Sequence, residues 1–421
     1  MMKYIFIFLV PWILFSCKST KEFTGFSYDP PDVTNTTDKE ITPQKKRIIG
    51  VGEPVVWVSN MFDGARLSDF YMAEDSVLEA YIKPENGPIN NSPWFAFKIW
   101  SDTTQKVDIR LNYEEASHRY IPKVNRWNNG KWEYVKKASF TVDDSTETAL
   151  ISITVDTEPV VISAQPLFTT NVLNEELQKR GILNADYVYR REVGKSKQGR
   201  PIWEIEINET QAAEVAPVLV ILSRQHPPEV SGFRASLFFL EEFTSDSELA
   251  KRFRETFIIK AYPMINPDGS DEGHWRHNTG GVDLNRDWVH FNQAETRAVQ
   301  QALLPLKNQK NRKVFYGIDF HSTNENIFYP ILKKIKTEPD DFTQQWAQRI
   351  TAKHKEAAFT SEEFDTSSPI SKNWIFRTFG ADAVTYEIHD EMQADDIERL
   401  SRSASKLLME MLLEAWSKTN Y

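Results

Sequence analysis

Hydrophobic and polar positions follow two different patterns along the chain. Between about residues 49 and 166, short runs of aromatic and β-branched residues, such as 55–58 and 94–100, alternate with turn-forming stretches such as 84–87. Several short strands separated by frequent turns are typical of a β-sandwich. The pattern therefore predicts an all-β sandwich domain over residues 49–166, in which no catalytic constellation stands out.

From about residue 167 onward, the pattern predicts alternating strands and helices. Residues 218–222 form a continuous apolar run, as expected for a strand that is buried on both faces. Further strands are predicted at 256–263, 313–320 and 382–388. Apolar residues at helical spacing occupy 232–243 and the C-terminal region. Residues 167–421 are therefore predicted to form an α/β domain with a mixed, mostly parallel sheet and helices on both faces.

The first residues of the chain are typical of an export signal. Lys3 precedes a short apolar run, which ends at Ser16 and Cys17. A charged start, a short apolar segment and a small residue describe a secretory signal, and the run is too short for a comfortable membrane span. Because the only cysteine follows the small residue, the end of the run resembles a bacterial lipobox.

The lipobox predicts a signal peptide over residues 1–16 and a lipidated Cys17 at the mature N-terminus. The protein would then be an exported bacterial lipoprotein, held on the periplasmic or cell-surface side of a membrane. The alternative is an ordinary signal peptide with an incidental cysteine. Residues 17–48 are largely polar, and this composition predicts a flexible tether between the anchor and the folded part.

The charge balance limits the classes of partner that the chain is expected to bind. The chain carries 50 Lys and Arg residues against 60 Asp and Glu residues, for a formal net charge of −10. A general nucleic-acid binder would need a basic face, so no nucleic-acid partner is expected. One cysteine allows no disulfide within the chain.

Three residues at predicted strand ends indicate a metal site. His226 and Glu229 stand three positions apart, just after the apolar run 218–222, and His321 follows the predicted strand 313–320. Open α/β sheets gather their functional residues at strand ends. A catalytic zinc commonly takes three His and Glu ligands and leaves a fourth position open. We therefore predict one Zn²⁺ per chain, held by His226, Glu229 and His321.

A carboxylate is also out of place in the strand predicted at 382–388. Glu387 interrupts an otherwise apolar run, and a buried carboxylate is costly unless it is paired or functional. Such a group can accept a proton from water in metal-assisted hydrolysis. Arg276 and the segment 283–286 lie between the metal-ligand candidates and supply positive charge and hydrogen-bond donors.

Together these pieces resemble the carboxypeptidase A-type zinc metallocarboxypeptidases over roughly residues 180–416. The matching pieces follow the family's order: His226-Pro227-Pro228-Glu229, Asn266-Pro267-Asp268-Gly269, Arg276, Asp283-Leu284-Asn285-Arg286, His321-Ser322 and Thr385-Tyr386-Glu387-Ile388-His389-Asp390. The β domain, with Trp94-Phe95-Ala96-Phe97, resembles the N-terminal β-sandwich of the cytosolic carboxypeptidase branch. The resemblance implies hydrolysis of the C-terminal peptide bond of a peptide.

The resemblance also implies a role for each catalytic residue. Glu387 would be the general base toward the zinc-activated water and then the proton donor to the leaving amine. Arg276 would polarise the scissile carbonyl and hold the developing oxyanion. Asp283 would accept a hydrogen bond from the zinc ligand His226 and fix its tautomer.

Substrate contacts are implied in the same way. Asn285 and Arg286 would hold the terminal carboxylate, for which the planar guanidinium offers two parallel hydrogen bonds. Alignment on Trp374 places Lys372 at the pocket for the terminal side chain. There a lysine would favour an acidic residue by Coulomb attraction, unless it points to solvent.

The sequence departs from the family pattern at two places. Many members carry an arginine between the first two zinc ligands, whereas this chain has Pro227 and Pro228. The tyrosine that covers the substrate in many members would fall at Asp365, and no tyrosine lies in that loop. One substrate contact and the cover over the substrate are therefore in doubt.

Two other functions fit the same residues. A murein peptide amidase or DL-carboxypeptidase would use this site on cell-wall peptides, and activity on muropeptides against ordinary peptides distinguishes it. A non-catalytic peptide-binding lipoprotein would keep the pocket without turnover. Retention of the three ligands together with Glu387 and Arg276 speaks against this second alternative.

Overall fold

A computed structural model describes residues 35–126, 131–211, 215–363 and 366–419. The predicted signal peptide, Cys17 and the first half of the predicted tether lie outside these residues, as does Asp365. Within the described ranges, no helix combines the length and the apolar character needed to cross a membrane.

The N-terminal domain is a β-sandwich. Its strands are β1 (Ile48–Val51), β2 (Val56–Ser59), β3 (Asp69–Met72), β4 (Leu78–Ile82), β5 (Ala96–Ser101), β6 (Gln105–Tyr113), β7 (Lys123–Arg126), β8 (Trp132–Tyr134), β9 (Phe140–Asp143), β10 (Thr148–Val155) and β11 (Val160–Ser163). One sheet has the order β1-β2-β5-β11-β7-β8 and the other β3-β4-β6-β10-β9. Val107, Ile109 and Leu111 alternate with more exposed residues along β6, so one face of the strand enters the shared core.

The C-terminal domain combines helices with one large sheet. Its elements are α1 (Thr170–Lys179), β12 (Val188–Lys195), β13 (Pro201–Ile207), β14 (Ala216–Ser223), α2 (Val230–Phe243), α3 (Glu248–Thr256), β15 (Ile258–Tyr262), α4 (Pro267–Glu272), α5 (Ala294–Leu303), β16 (Arg312–Thr323), β17 (Ile327–Tyr329), α6 (Phe342–Lys353), β18 (Thr360–Ser361), α7 (Ser371–Phe379), β19 (Asp382–His389) and α8 (Ala394–Ser417). The strand order is β12-β13-β15-β14-β16-β19-β17-β18. The four central strands β15, β14, β16 and β19 are mutually parallel.

Strand β14 shows why the run 218–222 is apolar throughout. Leu219 and Ile221 pack into the core formed with α2, α3, α6 and α8. Val218, Val220 and Leu222 point the other way, into the core formed with α5 and α7. Because helices cover both faces of the sheet, no position of this strand meets water. The predicted mixed α/β fold behind a β-sandwich is confirmed.

The two domains share hydrophobic contacts. Trp275 and Val230 belong to the C-terminal domain, yet both pack in the hydrophobic core of the β-sandwich. Residues 35–47, predicted as part of the tether, also lie against the folded part. Lys39 N donates to Gly280 O at 2.8 Å, and Thr42 N donates to Glu85 O at 2.7 Å. This section of the predicted tether is therefore fixed by main-chain hydrogen bonds.

A buried histidine is expected to make the stability of the β-sandwich pH-dependent. Burial lowers the pKa of His118 to about 4, and its Nδ1 lies 2.7 Å from the hydroxyl of Tyr113. An unfolded histidine titrates near pH 6.5, so the unfolded chain binds the proton first as the pH falls. The free energy of unfolding should therefore fall by about 3 kcal/mol between about pH 6.5 and pH 4.

Urea unfolding across this pH range measures the effect. His118→Gln keeps an acceptor for Tyr113 but does not titrate, so it should remove this part of the pH dependence. His290→Gln, at an exposed histidine, should leave it unchanged. Equal pH slopes for wild type and His118→Gln would contradict the assignment.

Candidate active site

The ends of three neighbouring parallel strands build the site. His226 follows the end of β14 at Ser223, His321 lies near the end of β16, and Glu387 lies near the end of β19. The register pairs His321 directly with Glu387. Helix α2 begins just after Glu229, and Glu229 is the N-cap residue of this helix. Sheet topology therefore brings residues that are up to 161 positions apart in the chain to one edge, as expected for an open α/β sheet.

Close packing of α2 against β16 fixes this geometry. At Gly232 in the first turn of α2, an added Cβ would lie 2.1 Å from the carbonyl oxygen of His321. The amide of Gly232 also donates to the hydroxyl of Ser322 at 2.8 Å. Only glycine allows the helix that begins at Glu229 to approach the strand that carries His321 so closely.

The three predicted metal ligands converge. The Nδ1 atoms of His226 and His321 each lie 2.7 Å from a carboxylate oxygen of Glu229. One ligand atom from each residue falls within 4.8 Å of the others, and all three residues are buried. Two imidazole nitrogens and one carboxylate match the ligand set of catalytic zinc sites, so the residues fit a Zn²⁺ ion.

The outer nitrogen of each imidazole contacts a carboxylate. Nε2 of His226 lies 2.9 Å from Oδ1 of Asp283, and Nε2 of His321 lies 2.8 Å from Oδ2 of Asp319. Such contacts fix the proton on Nε2 and leave Nδ1 as the ligand atom. Asp283 is one of the residues predicted from the sequence, whereas Asp319 is not. The signal was present, because Asp319 and His321 stand two positions apart on a strand and share a face.

Asp319 is expected to support zinc affinity through His321. Replacing it with asparagine removes the negative charge opposite Nε2, and outer carboxylates of this kind contribute about 10–100-fold in metal affinity. Competition with a coloured zinc chelator measures the loss. Asp382→Asn is the matched control, since this buried aspartate sits at the far end of β19 and accepts from Thr343. Equal zinc affinity in Asp319→Asn and wild type would contradict the role.

Glu387 lies beside the ligand cluster with an unusual environment. Its side chain opens partly to a cavity, but its Oε2 is buried and has no hydrogen-bond partner within the described part of the chain. Burial raises the pKa of Glu387 to about 8, and the nearby carboxylate of Glu229 adds to this, although the charge of His321 acts against it. A carboxyl group with a raised pKa, held in a cavity, suits proton transfer near neutral pH.

Arg276 and the segment 283–286 lie next to the cluster, where Asp283 contacts His226 and Asn285 contacts His321. Nε of Arg276 donates to Oδ2 of Asp283 at 2.7 Å, and the amide of Asn285 donates to Oδ1 of the same carboxylate at 2.8 Å. Asp283 therefore joins Arg276 to the metal ligand His226. Nη1 of Arg286 donates to Asn285 O at 2.9 Å.

A cavity of about 720 Å³ contains these groups. Its lining includes His226, Glu229, His321, Glu387, Arg276, Asn285 and Arg286. Asp283 lies directly behind the lining, where it contacts His226, Arg276 and Asn285. Of the predicted site residues, Lys372 is neither in the lining nor in contact with the metal ligands. Lys372 is fully buried, and its Nζ donates to Pro330 O at 2.9 Å. A buried ammonium needs such an acceptor, and Lys372 is not among the residues that line the cavity.

The β-sandwich supplies one wall of this cavity. Asn90, Asn91, Ser92 and Arg119 line it, and Arg119 donates from Nη2 to Asp390 Oδ2 at 2.6 Å. This ion pair joins the β domain to the loop that follows Glu387.

Tyr329, on β17, also lines the cavity. The register places it opposite Thr385, on the strand that carries Glu387. Burial raises the pKa of Tyr329 to about 12, and the charge of Glu387 contributes. The phenol therefore keeps its proton at neutral pH and can donate a hydrogen bond. A tyrosine thus reaches the cavity from β17, whereas the sequence pattern directed attention to the loop around Asp365.

Comparison with known proteins places this site in a family. The pattern of the zinc carboxypeptidase family matches residues 173–402. Cytosolic carboxypeptidase 6 of Mus musculus is 22% identical over 328 residues, which cover 72% of this chain and 60% of the relative. Cytosolic carboxypeptidase 2 of Xenopus tropicalis is 36% identical over 118 residues, which cover 26% of this chain and 12% of the relative. The chain thus spans 60% of the first relative's length and less of the second.

Solved structures share the fold. The metallo-carboxypeptidase from Burkholderia cenocepacia superposes with a TM-score of 0.71 at 16% identity, over 85% of this chain and 99% of that chain. The metallo-carboxypeptidase from Pseudomonas aeruginosa, in complex with (2-guanidinoethylmercapto)succinic acid, gives 0.67 at 18% identity, over 85% and 99%. Since the family match spans more than half of the 421 residues and contains all three metal-ligand residues, the chain belongs to the zinc carboxypeptidase family.

Proposed function

We propose that this protein is a zinc-dependent metallocarboxypeptidase that removes the C-terminal residue of peptides. One observation carries the proposal: the convergent His226–Glu229–His321 cluster shares a single cavity with Glu387, Arg276 and Arg286. Metal-ligand atoms, a proton acceptor, a cation for an oxyanion and a cation for a carboxylate are the groups that this hydrolysis needs.

Zn²⁺, when bound by the cluster, lowers the pKa of water and polarises a carbonyl oxygen. Proton transfer belongs to Glu387. As a carboxylate, it accepts the proton of the attacking water, and it then delivers this proton to the amine that leaves. Its position beside His321 in the sheet register keeps this carboxylate next to the metal ligands.

Arg276 supplies fixed positive charge for the oxygen that becomes negative. Its guanidinium lines the cavity and is oriented by Asp283, which leaves other N–H groups of the fork available in the same plane. A preorganised donor of this kind acts without reorganisation during the reaction.

Arg286 and Asn285 explain why cleavage would occur at the chain end. Both line the same cavity as the cluster, and a guanidinium binds a terminal carboxylate through two parallel hydrogen bonds. A peptide held by its terminal carboxylate presents only its last peptide bond to Glu387. Amidation of the C-terminus would remove this contact.

The cellular setting is a separate part of the proposal. The apolar run before Cys17 supports an exported lipoprotein that is anchored by a lipid on Cys17. Metabolic labelling with a clickable fatty acid tests it. Label on the wild-type protein that is lost in Cys17→Ser supports the anchor, and equal label on both would contradict it.

Incubation with matched substrates tests the enzymatic proposal. Peptides with a free C-terminus, the same peptides with a C-terminal amide, and muropeptides are incubated with zinc-loaded protein, and the products are weighed by mass spectrometry. Loss of single residues from the free peptides, but not from the amides, is expected. Cleavage confined to muropeptides would replace the proposal with cell-wall hydrolysis, and no cleavage by zinc-loaded protein would favour a binding protein.

A further inference from the structure

Glu85, in the connection between β4 and β5 of the β-sandwich, contacts the main chain around Arg276. Its Oε1 accepts hydrogen bonds from the amides of Arg276 and His277 at 3.0 and 2.7 Å, and its Oε2 accepts one from the amide of Trp275 at 2.8 Å. The residue has no exposed surface. One carboxylate from the N-terminal domain thus holds three consecutive amides of the C-terminal domain.

The surroundings keep this carboxylate ionised. Burial opposes its charge, but His274, His277, Arg66 and the amide of Trp275 outweigh burial and lower the pKa of Glu85 to about 2. Burial also lowers the pKa values of both histidines, so they are neutral at pH 7. Arg66 and the three amides therefore hold the negative charge at neutral pH, and charge-assisted bonds of this kind are strong.

Side chains on both sides of Arg276 are anchored in the β-sandwich as well. Nε1 of Trp275 donates to Trp94 O at 3.0 Å, and its ring packs in the β-sandwich core. Nδ1 of His277 lies 2.6 Å from Oδ1 of Asn86. Within its own domain, the Arg276 side chain is held by Asp283. The guanidinium is thus fixed at its tip by one domain, and its main chain is fixed by the other.

We infer that Glu85 is a positioning residue for Arg276, and that the β-sandwich is a working part of the active site rather than a separate module. The inference rests on the proposed function of Arg276 as the oxyanion cation. The Glu85 carboxylate does not line the cavity, because its oxygens accept hydrogen bonds from three main-chain amides. Its effect on the reaction is to hold the Arg276 main chain where the guanidinium can face the reacting carbonyl.

Steady-state kinetics of Glu85→Gln test the inference on a peptide that the wild type cleaves. Glutamine keeps the size, but its NH₂ group faces amide donors and cannot accept from them. We expect kcat to fall about 10–100-fold with KM nearly unchanged, since a misplaced Arg276 loses contacts made only in the transition state. Glu85→Asp keeps the charge and should recover part of the loss.

Glu79→Gln is the matched control, because it removes another buried carboxylate of the same domain. Glu79 lies on β4 and pairs with Arg110 and Asn112, away from residues 275–277. This variant should lose stability without a change in kcat. If Glu79→Gln lost as much kcat as Glu85→Gln, general destabilisation would explain both losses. That result would overturn the inference.

Hydrogen exchange of residues 275–277 supplies a readout that does not depend on activity. Their amides should exchange faster in Glu85→Gln than in wild type and in Glu79→Gln, with the rest of the C-terminal domain unchanged. Faster exchange together with the loss of kcat supports the inference. Unchanged exchange, or unchanged kcat in a folded Glu85→Gln, overturns it. A wild type that cleaves no substrate would instead overturn the proposed function, and exchange would still report the Glu85 contact.

Discussion

Replacing Glu387 with glutamine is expected to lower kcat by about 10²–10⁴-fold, while zinc binding and folding persist. Glutamine has nearly the same shape but accepts no proton, so the water is not activated and the amine is not protonated. The variant also removes a carboxyl group whose buried Oε2 has no partner in the described ranges. Burial raises the pKa of Glu387, so this carboxyl group costs folding free energy at neutral pH, and the stability of the variant should equal or exceed that of the wild type.

The pH profile checks the same assignment independently. Since the base must be ionised, kcat/KM should fall as the pH drops below the pKa of Glu387. Burial raises the pKa of this group to about 8 in the protein without metal, and a Zn²⁺ charge nearby lowers it. The acid limb is therefore expected below pH 8. A Glu387→Gln variant that keeps wild-type kcat would contradict the role of Glu387.

Removal of zinc is expected to abolish activity and to lower the stability of the C-terminal domain. A ligand that binds only the folded state stabilises it by about 4 kcal/mol at a concentration 1,000 times its Kd. Chelation should remove this increment, and added Zn²⁺ should restore both activity and stability. Thermal unfolding with and without Zn²⁺, together with a measurement of bound metal, provides the test.

Two variants make the zinc experiment specific. Glu229→Gln replaces the anionic ligand between the two histidines, so zinc should neither stabilise nor activate it. Glu204→Gln removes a buried carboxylate on β13 that pairs with Lys260, and it should keep the full zinc-dependent increment. A zinc increment in Glu229→Gln equal to that of the wild type would place the metal elsewhere.

Much of the fold could be predicted because its signals are local. The run 218–222 is apolar at every position, and the structure shows helices on both faces of β14. Residues 232–243 show helical spacing, and α2 covers them with two more residues at its start, Val230 and Ser231. Val230 packs in the core of the β-sandwich, a contact between the domains that helical periodicity does not reveal.

Site residues could be predicted where a charged or polar side chain would be costly to bury unless it had a function. A carboxylate in an apolar strand singled out Glu387, and histidines at strand ends singled out the ligands. Lys372 shows the limit of alignment by one tryptophan. The position lies on α7, where the buried lysine donates to Pro330 O and is not among the residues that line the cavity. Its direction depends on a carbonyl 42 positions away, which no local pattern reveals.

Individual contacts between the domains could not be predicted from the sequence either, because the partners are distant in the chain. Glu85 lies in a turn-forming stretch, where an acidic residue is ordinary and suggests only solvent exposure. Its partners are 190–192 positions away in the chain. Arg119 likewise gives no local signal, since its ion pair with Asp390 spans 271 positions. Such contacts depend on how the two domains pack together, and local sequence patterns do not reveal this packing.

Mass analysis of a mixed pool of free-ended peptides tests whether this cavity removes C-terminal residues. Zinc-loaded wild type and Glu387→Gln are incubated with the pool in parallel. Successive loss of single C-terminal residues is expected with the wild type and none with the variant. Internal cleavage, or identical products from both proteins, would contradict it.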